Sequence, residues 1–164
     1  MINYRKATID DAEILTAMRV RMLSEGEDYP PDFIGRIENR TREYIISGLQ
    51  DNSYIIWVAE AEEQIAAMGG ITIYYLPPND WCISGKSAYL GSLYTDHKYR
   101  KLGIASELLN RLVEEAKGIG CERILLHTTK MGRAIYERFG FENSEGAMAY
   151  YPFGVERTAH FTNE

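Results

Sequence analysis

A basic stretch that follows a predicted strand is the part of this sequence best suited to do chemistry. It passes from strand to loop to helix and reads Tyr94-Thr95-Asp96-His97-Lys98-Tyr99-Arg100-Lys101-Leu102-Gly103-Ile104-Ala105. A helix N-terminus carries unpaired N–H groups and a partial positive charge, so it binds phosphates. Gly103 has no Cβ, so a phosphate can approach its backbone closely. Arg100 and Lys101 add positive charge, and the pattern therefore indicates a cradle for a pyrophosphate.

The two common nucleotide-binding motifs do not account for this stretch. The sequence contains neither GxxxxGK[ST] nor GxGxxG. Taken alone, Arg100-x-x-Gly103-x-Ala105 is also compatible with an ordinary helix start at which glycine permits close packing.

Two segments at the expected separation and in the expected order resemble the GNAT (GCN5-related N-acetyltransferase) family. Arg100-x-x-Gly103-x-Ala105 resembles the [QR]xxGx[GA] signature of that family, which also follows a strand and opens a helix. A short strand around Ile124–Thr128 then precedes Gly132–Phe141, which resembles the family segment that ends in Tyr-Glu-x-x-Gly-Phe. The strong match spans Ala88–Phe141, about a third of the chain, and looks like a small bacterial member of undefined substrate.

The resemblance implies a binding mode for coenzyme A. Backbone N–H groups of the loop and helix start would hold the pyrophosphate, and these belong to Arg100, Lys101, Leu102, Gly103, Ile104, Ala105 and Ser106. The preceding strand would pair with the pantetheine arm through the backbone of Leu93, Tyr94 and Thr95. A bulge at Gly91 would open the gap that receives the thioester, and an N–H near Tyr94 would stabilise the oxyanion.

Three further residues take roles from the same resemblance. Tyr136 would donate a proton to the departing thiolate, since a thiol of pKa about 8.5 is mostly protonated at neutral pH. Without the motif, Tyr136 would be interpreted as a tyrosine whose ring only packs on the core. Thr129 stands about where the family often has an asparagine on the pantetheine arm. Arg133 either reaches the 3′-phosphate or lies on a solvated helix face.

The general base departs from the family pattern. Alignment on Arg100 puts the usual strand glutamate at Gly91. His127, at the end of the adjacent strand, has a suitable intrinsic pKa, although a strand-end histidine can equally be bonded to backbone. An amine that arrives deprotonated would need no base. The other candidate is Asp96, just past the pantetheine strand, and the acidic residues Glu25, Glu27 and Asp28 could also line the acceptor pocket.

The periodicity of apolar residues predicts the elements that must position these groups. A strand, a helix opened by a Thr8–Asp11 capping box and a second helix over about 32–49 come first. A hairpin, the strand Ala88–Thr95 and the helix Gly103–Lys117 follow. The strand Arg123–Thr128, a short helix and a last strand Ala147–Phe153 complete the order β-α-α-β-β-β-α-β-α-β. Short turns favour antiparallel pairing, but a strand–helix–strand unit demands one parallel pair.

The predicted fold is therefore α+β: a GNAT-like, mixed and mostly antiparallel central sheet, flanked by helices, with one splayed parallel pair. The 164 residues fit a single domain with a polar tail from about residue 155. Many proteins of this fold form homodimers, but no sequence feature specifies an interface.

Charge and composition limit the function classes. Residues 97–140 carry a net charge of +4, while the rest of the chain carries −10. One basic half favours a localised anionic ligand over a nucleic-acid surface. Cys82 and Cys121 show no metal-ligand spacing, so no metal is expected. Without an apolar leader or a run of 18 apolar residues, we expect a cytoplasmic protein with no membrane span.

The function expected from the resemblance is N-acyl transfer. An acetyl or short acyl group would pass from acetyl-CoA to a primary amine by direct attack in a ternary complex. The acceptor would be a small molecule or a peptide amine, and the acidic remainder of the chain favours a cationic one. The alternative is a non-catalytic sensor of CoA or acyl-CoA with the same fold. A nucleotide-phosphate enzyme would need Mg²⁺ carboxylates near the loop, where only Asp96 lies close.

Overall fold

The computed structural model describes residues 1–130, 132–144 and 151–152 and confirms the predicted order of elements within them. The strands are β1 (Asn3–Lys6), β2 (Tyr54–Ala61), β3 (Gln64–Tyr75), β4 (Lys86–Thr95) and β5 (Arg123–Leu126). The helices are α1 (Ala12–Ser24), α2 (Pro31–Asp51), α3 (Ile104–Gly118) and α4 (Arg133–Arg138). The predicted last strand, Ala147–Phe153, and the polar tail lie outside the described residues. None of the helices in the described ranges is both long and apolar enough to cross a membrane.

The five strands form one mixed sheet in the order β1-β2-β3-β4-β5. β1 to β4 pair antiparallel, and β4 pairs with β5 in parallel. A parallel pair needs a crossover connection, and α3 supplies it. The predicted α+β architecture, with one parallel pair in a mostly antiparallel sheet, is therefore confirmed.

β4 carries a bulge at Gly91. Gly70 of β3 pairs with Ser92, but the next β3 residue pairs with Leu90, so Gly91 is the extra residue. The parallel pairing with β5 runs only as far as Leu90 opposite Leu126. A bulge bends a strand and terminates pairing. From Gly91 onward, the edge of β4 that faces β5 has no strand partner among the described residues.

The two faces of the sheet are covered by different helices. α1 and α2 pack on one face through buried side chains that include Leu15, Met18 and Ile45. α3 packs on the other face, where Leu108, Leu109 and Leu112 are fully buried. The helix comes so close to β3 that a Cβ built on Gly69 would lie 2.7 Å from Leu112 Cδ1. The core thereby fixes the α3 start relative to β4.

A charged network ties the start of α1 to the sheet. The Thr8 N–H donates to Asp11 Oδ2 at 2.7 Å, as expected for a capping box. The Arg5 guanidinium donates to both carboxylate oxygens of Asp11, at 2.7 and 2.9 Å, and to Glu60 at 2.7 Å. The hydrogen bonds from Arg5, more than any other contact, lower the pKa of the Asp11 carboxyl. This network orients the helix that later reaches the bulge.

We expect Asp11→Asn to lower the free energy of unfolding at pH 7 by about 2 kcal/mol, because it weakens hydrogen bonds to a charged group. Asp11 is almost fully buried, whereas the exposed neighbour variant Asp10→Asn should change stability by less than about 0.5 kcal/mol. Urea denaturation measures both.

The same pair of proteins tests the pH dependence. A lowered folded-state pKa means that the contribution of Asp11 is complete above the unfolded value of about 3.9 and is lost as the pH falls through the folded value. The stability gap between wild type and Asp11→Asn should therefore narrow below about pH 4. A gap that stays constant down to pH 2 would contradict this account.

Candidate active site

The N-terminus of α3 is an uncapped set of N–H groups. Gly103 is the N-cap residue, and because glycine has no side chain, it cannot accept a capping hydrogen bond from the helix N–H groups. The first intrahelical bond at this end runs from Glu107 N to Gly103 O at 3.1 Å. The N–H groups of Gly103, Ile104, Ala105 and Ser106 therefore lack helical partners. A Cβ built on Gly103 would have no heavy atom within 4 Å, so the backbone there is open to a ligand.

The loop before α3 holds a second residue in the left-handed region. Lys101 has φ 64° and Gly103 has φ 79°. A left-handed lysine costs about 1–2 kcal/mol, and such strain is concentrated at functional sites. Alternation of left- and right-handed residues turns successive N–H groups toward one concave face, which suits an anion.

Its motif suggests that Arg100 directs its charge at the pyrophosphate cradle, but the guanidinium is bound to neighbouring residues instead. Its guanidinium donates to both carboxylate oxygens of Glu25, at 2.7 and 2.9 Å, and its Nε donates to Thr95 O at 3.0 Å. It also lies over the ring of Tyr94, 5.8 Å from the centroid. Arg100 thus fastens the loop to the end of β4 and to the residue after α1, and Glu25 offsets its charge.

The cradle opens into a cavity of about 790 Å³ between β4, α3 and α4. The cavity brings together most of the predicted site residues: Leu93, Tyr94, Thr95, Arg100, Lys101, Gly103, Ile104, Ala105, Ser106, His127, Thr129 and Tyr136. Two predicted residues do not line it. Leu102 is exposed to solvent, and Arg133 is paired with Glu137 at 3.5 Å and with Asn143 at 2.7 Å.

Arg138 lines the cavity in place of Arg133. Neither Arg138 nor Lys101 has a carboxylate within 4 Å in the part of the chain that the structure describes, so their charges are available to an anionic ligand. Arg138 was not predicted from the sequence. The two arginines stand five residues apart on one short helix, and only the angle at which that helix docks decides which arginine faces the cavity.

The unpaired edge of β4 presents backbone groups to this cavity. Asp96 N donates to Ala66 O of the β3 side at 2.9 Å. Because hydrogen-bonding groups alternate between the two edges of a strand, Tyr94 and Ser92 also point toward β3. Leu93 and Thr95 then point to the open edge, so theirs are the N–H groups near Tyr94 that an amide or an oxyanion could use.

Tyr136 and His127 line the same cavity as the cradle. The Tyr136 ring packs edge-on against Phe141, with centroids 5.8 Å apart. Burial and, to a lesser extent, nearby Tyr89 raise the pKa of the Tyr136 hydroxyl above its usual 10. His127 Nδ1 is 2.8 Å from the hydroxyl of Tyr89. Tyr136 therefore stays protonated at neutral pH, and His127 has a fixed partner.

Tyr89 was not predicted as a site residue from the sequence. It lies on β4, opposite Leu125 of β5 in the parallel register, which brings its hydroxyl to His127, the residue that follows β5. Only the strand register reveals this contact, since the two residues are 38 positions apart.

The four acidic residues named in the sequence analysis have different surroundings. Asp96 accepts a hydrogen bond from Lys98 N at 3.1 Å and pairs with Arg21 at 3.4 Å, which makes it the cap of a short 3₁₀ turn. Glu25 is held by Arg100. Glu27 lines the cavity, whereas Asp28 is exposed and does not. The Thr129 hydroxyl accepts from Gly132 N at 3.2 Å and so braces the start of α4.

Comparisons with known proteins agree with this geometry. Residues 19–141 match the sequence pattern of the Acetyltransferase (GNAT) family. The solved structure of a predicted acetyltransferase with acetyl-CoA from Clostridium acetobutylicum is similar, with a TM-score of 0.86 at 32% identity over 96% of this chain and 100% of that one.

Two curated relatives are similar over part of their length. Human N-acetyltransferase 8 is 30% identical over 101 residues, which are 60% of this chain and 43% of that protein. Thialysine N-epsilon-acetyltransferase of Sus scrofa is 28% identical over 104 residues, which are 62% of this chain and 60% of that protein. The match thus spans roughly half of each curated relative.

We expect Gly103→Ala to weaken acetyl-CoA binding by about tenfold or more, because a Cβ would stand where the backbone must approach the pyrophosphate. Gly120→Ala is the matched control. Gly120 ends the same helix with φ 82° and equally open surroundings, so it carries the same backbone strain outside the cavity.

Titration calorimetry with acetyl-CoA and with CoA measures both variants against the wild type. Equal affinities for the two variants would show that the α3 start does not hold the ligand. A loss confined to Gly103→Ala assigns the cradle.

Proposed function

Because the chain belongs to the acetyltransferase (GNAT) family, we propose that it transfers an acetyl or another short acyl group from acetyl-CoA to a primary amine. One observation carries the proposal. At the Gly91 bulge, the open edge of β4, the uncapped start of α3 and Tyr136 all line one cavity. The similar structure from Clostridium acetobutylicum is described with acetyl-CoA, which supports the same cosubstrate for this chain.

The residues fit the parts of that cosubstrate. The free N–H groups of Gly103 to Ser106 suit the pyrophosphate, with the charge of Lys101 beside them. The open-edge groups of Leu93 and Thr95 suit the amides of the pantetheine arm, which can substitute for a missing strand partner. The thioester would then lie beside Gly91, where the two parallel strands part.

Acyl transfer at this position needs two proton transfers. The amine nitrogen forms a bond to the thioester carbonyl carbon, and the carbon–sulfur bond breaks. An N–H of the open edge would stabilise negative charge on the carbonyl oxygen. Tyr136 would give its proton to the leaving thiolate, and its raised pKa keeps that proton available at neutral pH.

His127 would remove the proton from the amine, directly or through water. Whether His127 can accept that proton depends on its contact with Tyr89. If Nδ1–H donates to the Tyr89 oxygen, the lone pair of Nε2 is free to accept a proton. Tyr89 is then a positioning residue that selects the competent tautomer. This pair would take over the role of the glutamate that the chain lacks at Gly91.

A primary amine is the acceptor best supported by the relatives. The porcine relative is named for acetylation of the ε-nitrogen of thialysine. A second candidate function, a sensor that binds acyl-CoA without turnover, is favoured by the missing glutamate at Gly91. The two functions differ in one measurement, since a sensor binds acetyl-CoA but releases no thiol with any amine.

We expect Tyr136→Phe to lower kcat by about 100-fold, because the thiolate loses its proton donor, while acetyl-CoA binds with unchanged affinity. Thiol release at saturating acetyl-CoA measures the rate. Since the Tyr136 pKa is raised, the wild type should show no Tyr136-dependent decline in rate below about pH 10. Tyr75→Phe, at an exposed site away from the cavity, is the control. Full activity of Tyr136→Phe would exclude it as the acid.

A double-mutant cycle tests the Tyr89–His127 pair. We expect His127→Gln to lower kcat/KM by about 100-fold and Tyr89→Phe by about 10-fold, since general bases contribute about 10²–10⁴-fold. If Tyr89 acts through His127, the double variant should be no slower than His127→Gln alone. Multiplicative losses would mean that the two residues act independently.

A further inference from the structure

A second cavity adjoins the first at the bulge. It encloses about 420 Å³ between α1, α2 and the sheet, and Gly91 and Ser92 line both cavities. Tyr89 lines the second cavity, while its partner His127 lines the first. A volume of this size suits a small ligand. An amine held here would therefore reach the thioester from the side opposite the cradle.

The charge of this second cavity is positive. Its lining residues include Arg19 and Arg40 and, within the described residues, neither aspartate nor glutamate. Arg40 is exposed at the rim and pairs with Glu43 at 2.8 Å. Arg19 is half-buried and has no carboxylate within 4 Å in the described part of the chain. A half-buried charge without a counter-charge favours an anion.

Arg19 is held in place through only one nitrogen of its guanidinium group. Its Nη1 donates to the carbonyl oxygen of Gly91, lies 3.3 Å from Ser92 Oγ and 3.9 Å from Met22 Sδ. All three contacts use the same nitrogen, so among the described residues nothing occupies Nη2 and Nε, which remain for a ligand. A guanidinium edge with two donors matches a carboxylate.

Hydroxyl groups complete the polar lining. The Tyr44 hydroxyl and Thr72 Oγ1 are 2.5 Å apart, and Thr41 also lines the cavity. Hydroxyls donate to carboxylate oxygens and accept from an ammonium group. The cavity therefore offers an anion site at Arg19 and neutral polar groups around it, rather than the acidic lining that a polyamine would need.

We propose that the acceptor is an amino acid or a similar amine that carries a carboxylate, with Arg19 binding the carboxylate in this second cavity. The proposal rests on the proposed acyl-transfer function, and the positive lining replaces the cationic acceptor expected from the net charge with one that carries a carboxylate. Because the same guanidinium holds the bulge carbonyl, it links recognition of the acceptor to the strand segment beside the thioester.

Matched acceptors test the proposal. The probes are glycine, β-alanine and the standard L-amino acids other than proline, each compared with its carboxamide, together with L-lysine compared with cadaverine. Thiol release at saturating acetyl-CoA gives kcat/KM for each. We expect at least one acid to react about tenfold or more faster than its amide, and Arg19→Gln to bring that ratio close to one.

The variants separate binding from a structural role. If Arg19 only supports the bulge, Arg19→Gln slows acid and amide equally, the ratio is unchanged and the proposal is overturned. Arg19→Lys keeps the charge but loses the fork, so it should retain only part of the preference. Arg42→Gln, on α2 and paired with Glu13 outside the cavity, should leave the ratio as in the wild type.

Calorimetry distinguishes this proposal from the proposed function. Absence of acetyl-CoA binding and of thiol release would defeat acyl transfer itself. Titration of the CoA-saturated protein with the same acids tests Arg19 without turnover, and binding lost in Arg19→Gln would support the carboxylate site. Acetyl-CoA binding with preference for amides or cadaverine, or no acid that binds or reacts, would overturn the carboxylate proposal alone.

Discussion

The single extra residue in β4 is the constraint on which the site depends. A strand in the middle of a sheet pairs on both edges, which leaves no backbone group for a ligand. At Gly91 the register with β3 shifts, and the pairing with β5 ends one residue earlier. The chain therefore keeps one edge of β4 paired while it opens the other. Both cavities meet at this point, since Gly91 and Ser92 line each of them.

The surrounding structure holds the bulge open from several sides. Arg19 of α1 bonds the Gly91 carbonyl oxygen, which would otherwise be an unpaired acceptor. Arg100 bonds the Thr95 carbonyl oxygen and Glu25, which fixes where β4 ends and where α1 stops. The buried face of α3 then sets the position of its own N-terminus. α1, the loop at Arg100 and α3 thus together define one short segment of strand.

The sequence predicted the features whose causes are local. The Thr8–Asp11 capping box, the glycine at the α3 start and the glycine of the bulge each depend on a few neighbouring residues. The element order followed from changes of period between helices and strands. It was also predictable that Tyr136 and His127 line the same cavity, because the family resemblance carried information about which residues distant in sequence lie close together.

Contacts set by register and docking could not be predicted in the same way. Tyr89 meets His127 only because Tyr89 lies opposite Leu125 in the parallel pair. Arg19 reaches the bulge across 72 residues, and nothing in the spacing of α1 distinguishes it from Arg21. Arg138 rather than Arg133 faces the cavity because of the angle at which α4 docks. Each is a tertiary fact that composition and periodicity do not contain.

The glycine at position 91 and the Tyr89–His127 pair belong together. A Cβ built on Gly91 would lie 3.3 Å from Tyr89 Cε1, closer than a comfortable van der Waals contact. A glutamate there would require the Tyr89 ring, whose hydroxyl contacts His127, to shift by a few tenths of an ångström. Glycine at position 91 together with the Tyr89–His127 pair thus occupies the space in which a glutamate would otherwise lie. The residue that leaves room for the bulge also leaves room for the tyrosine that orients the proposed base.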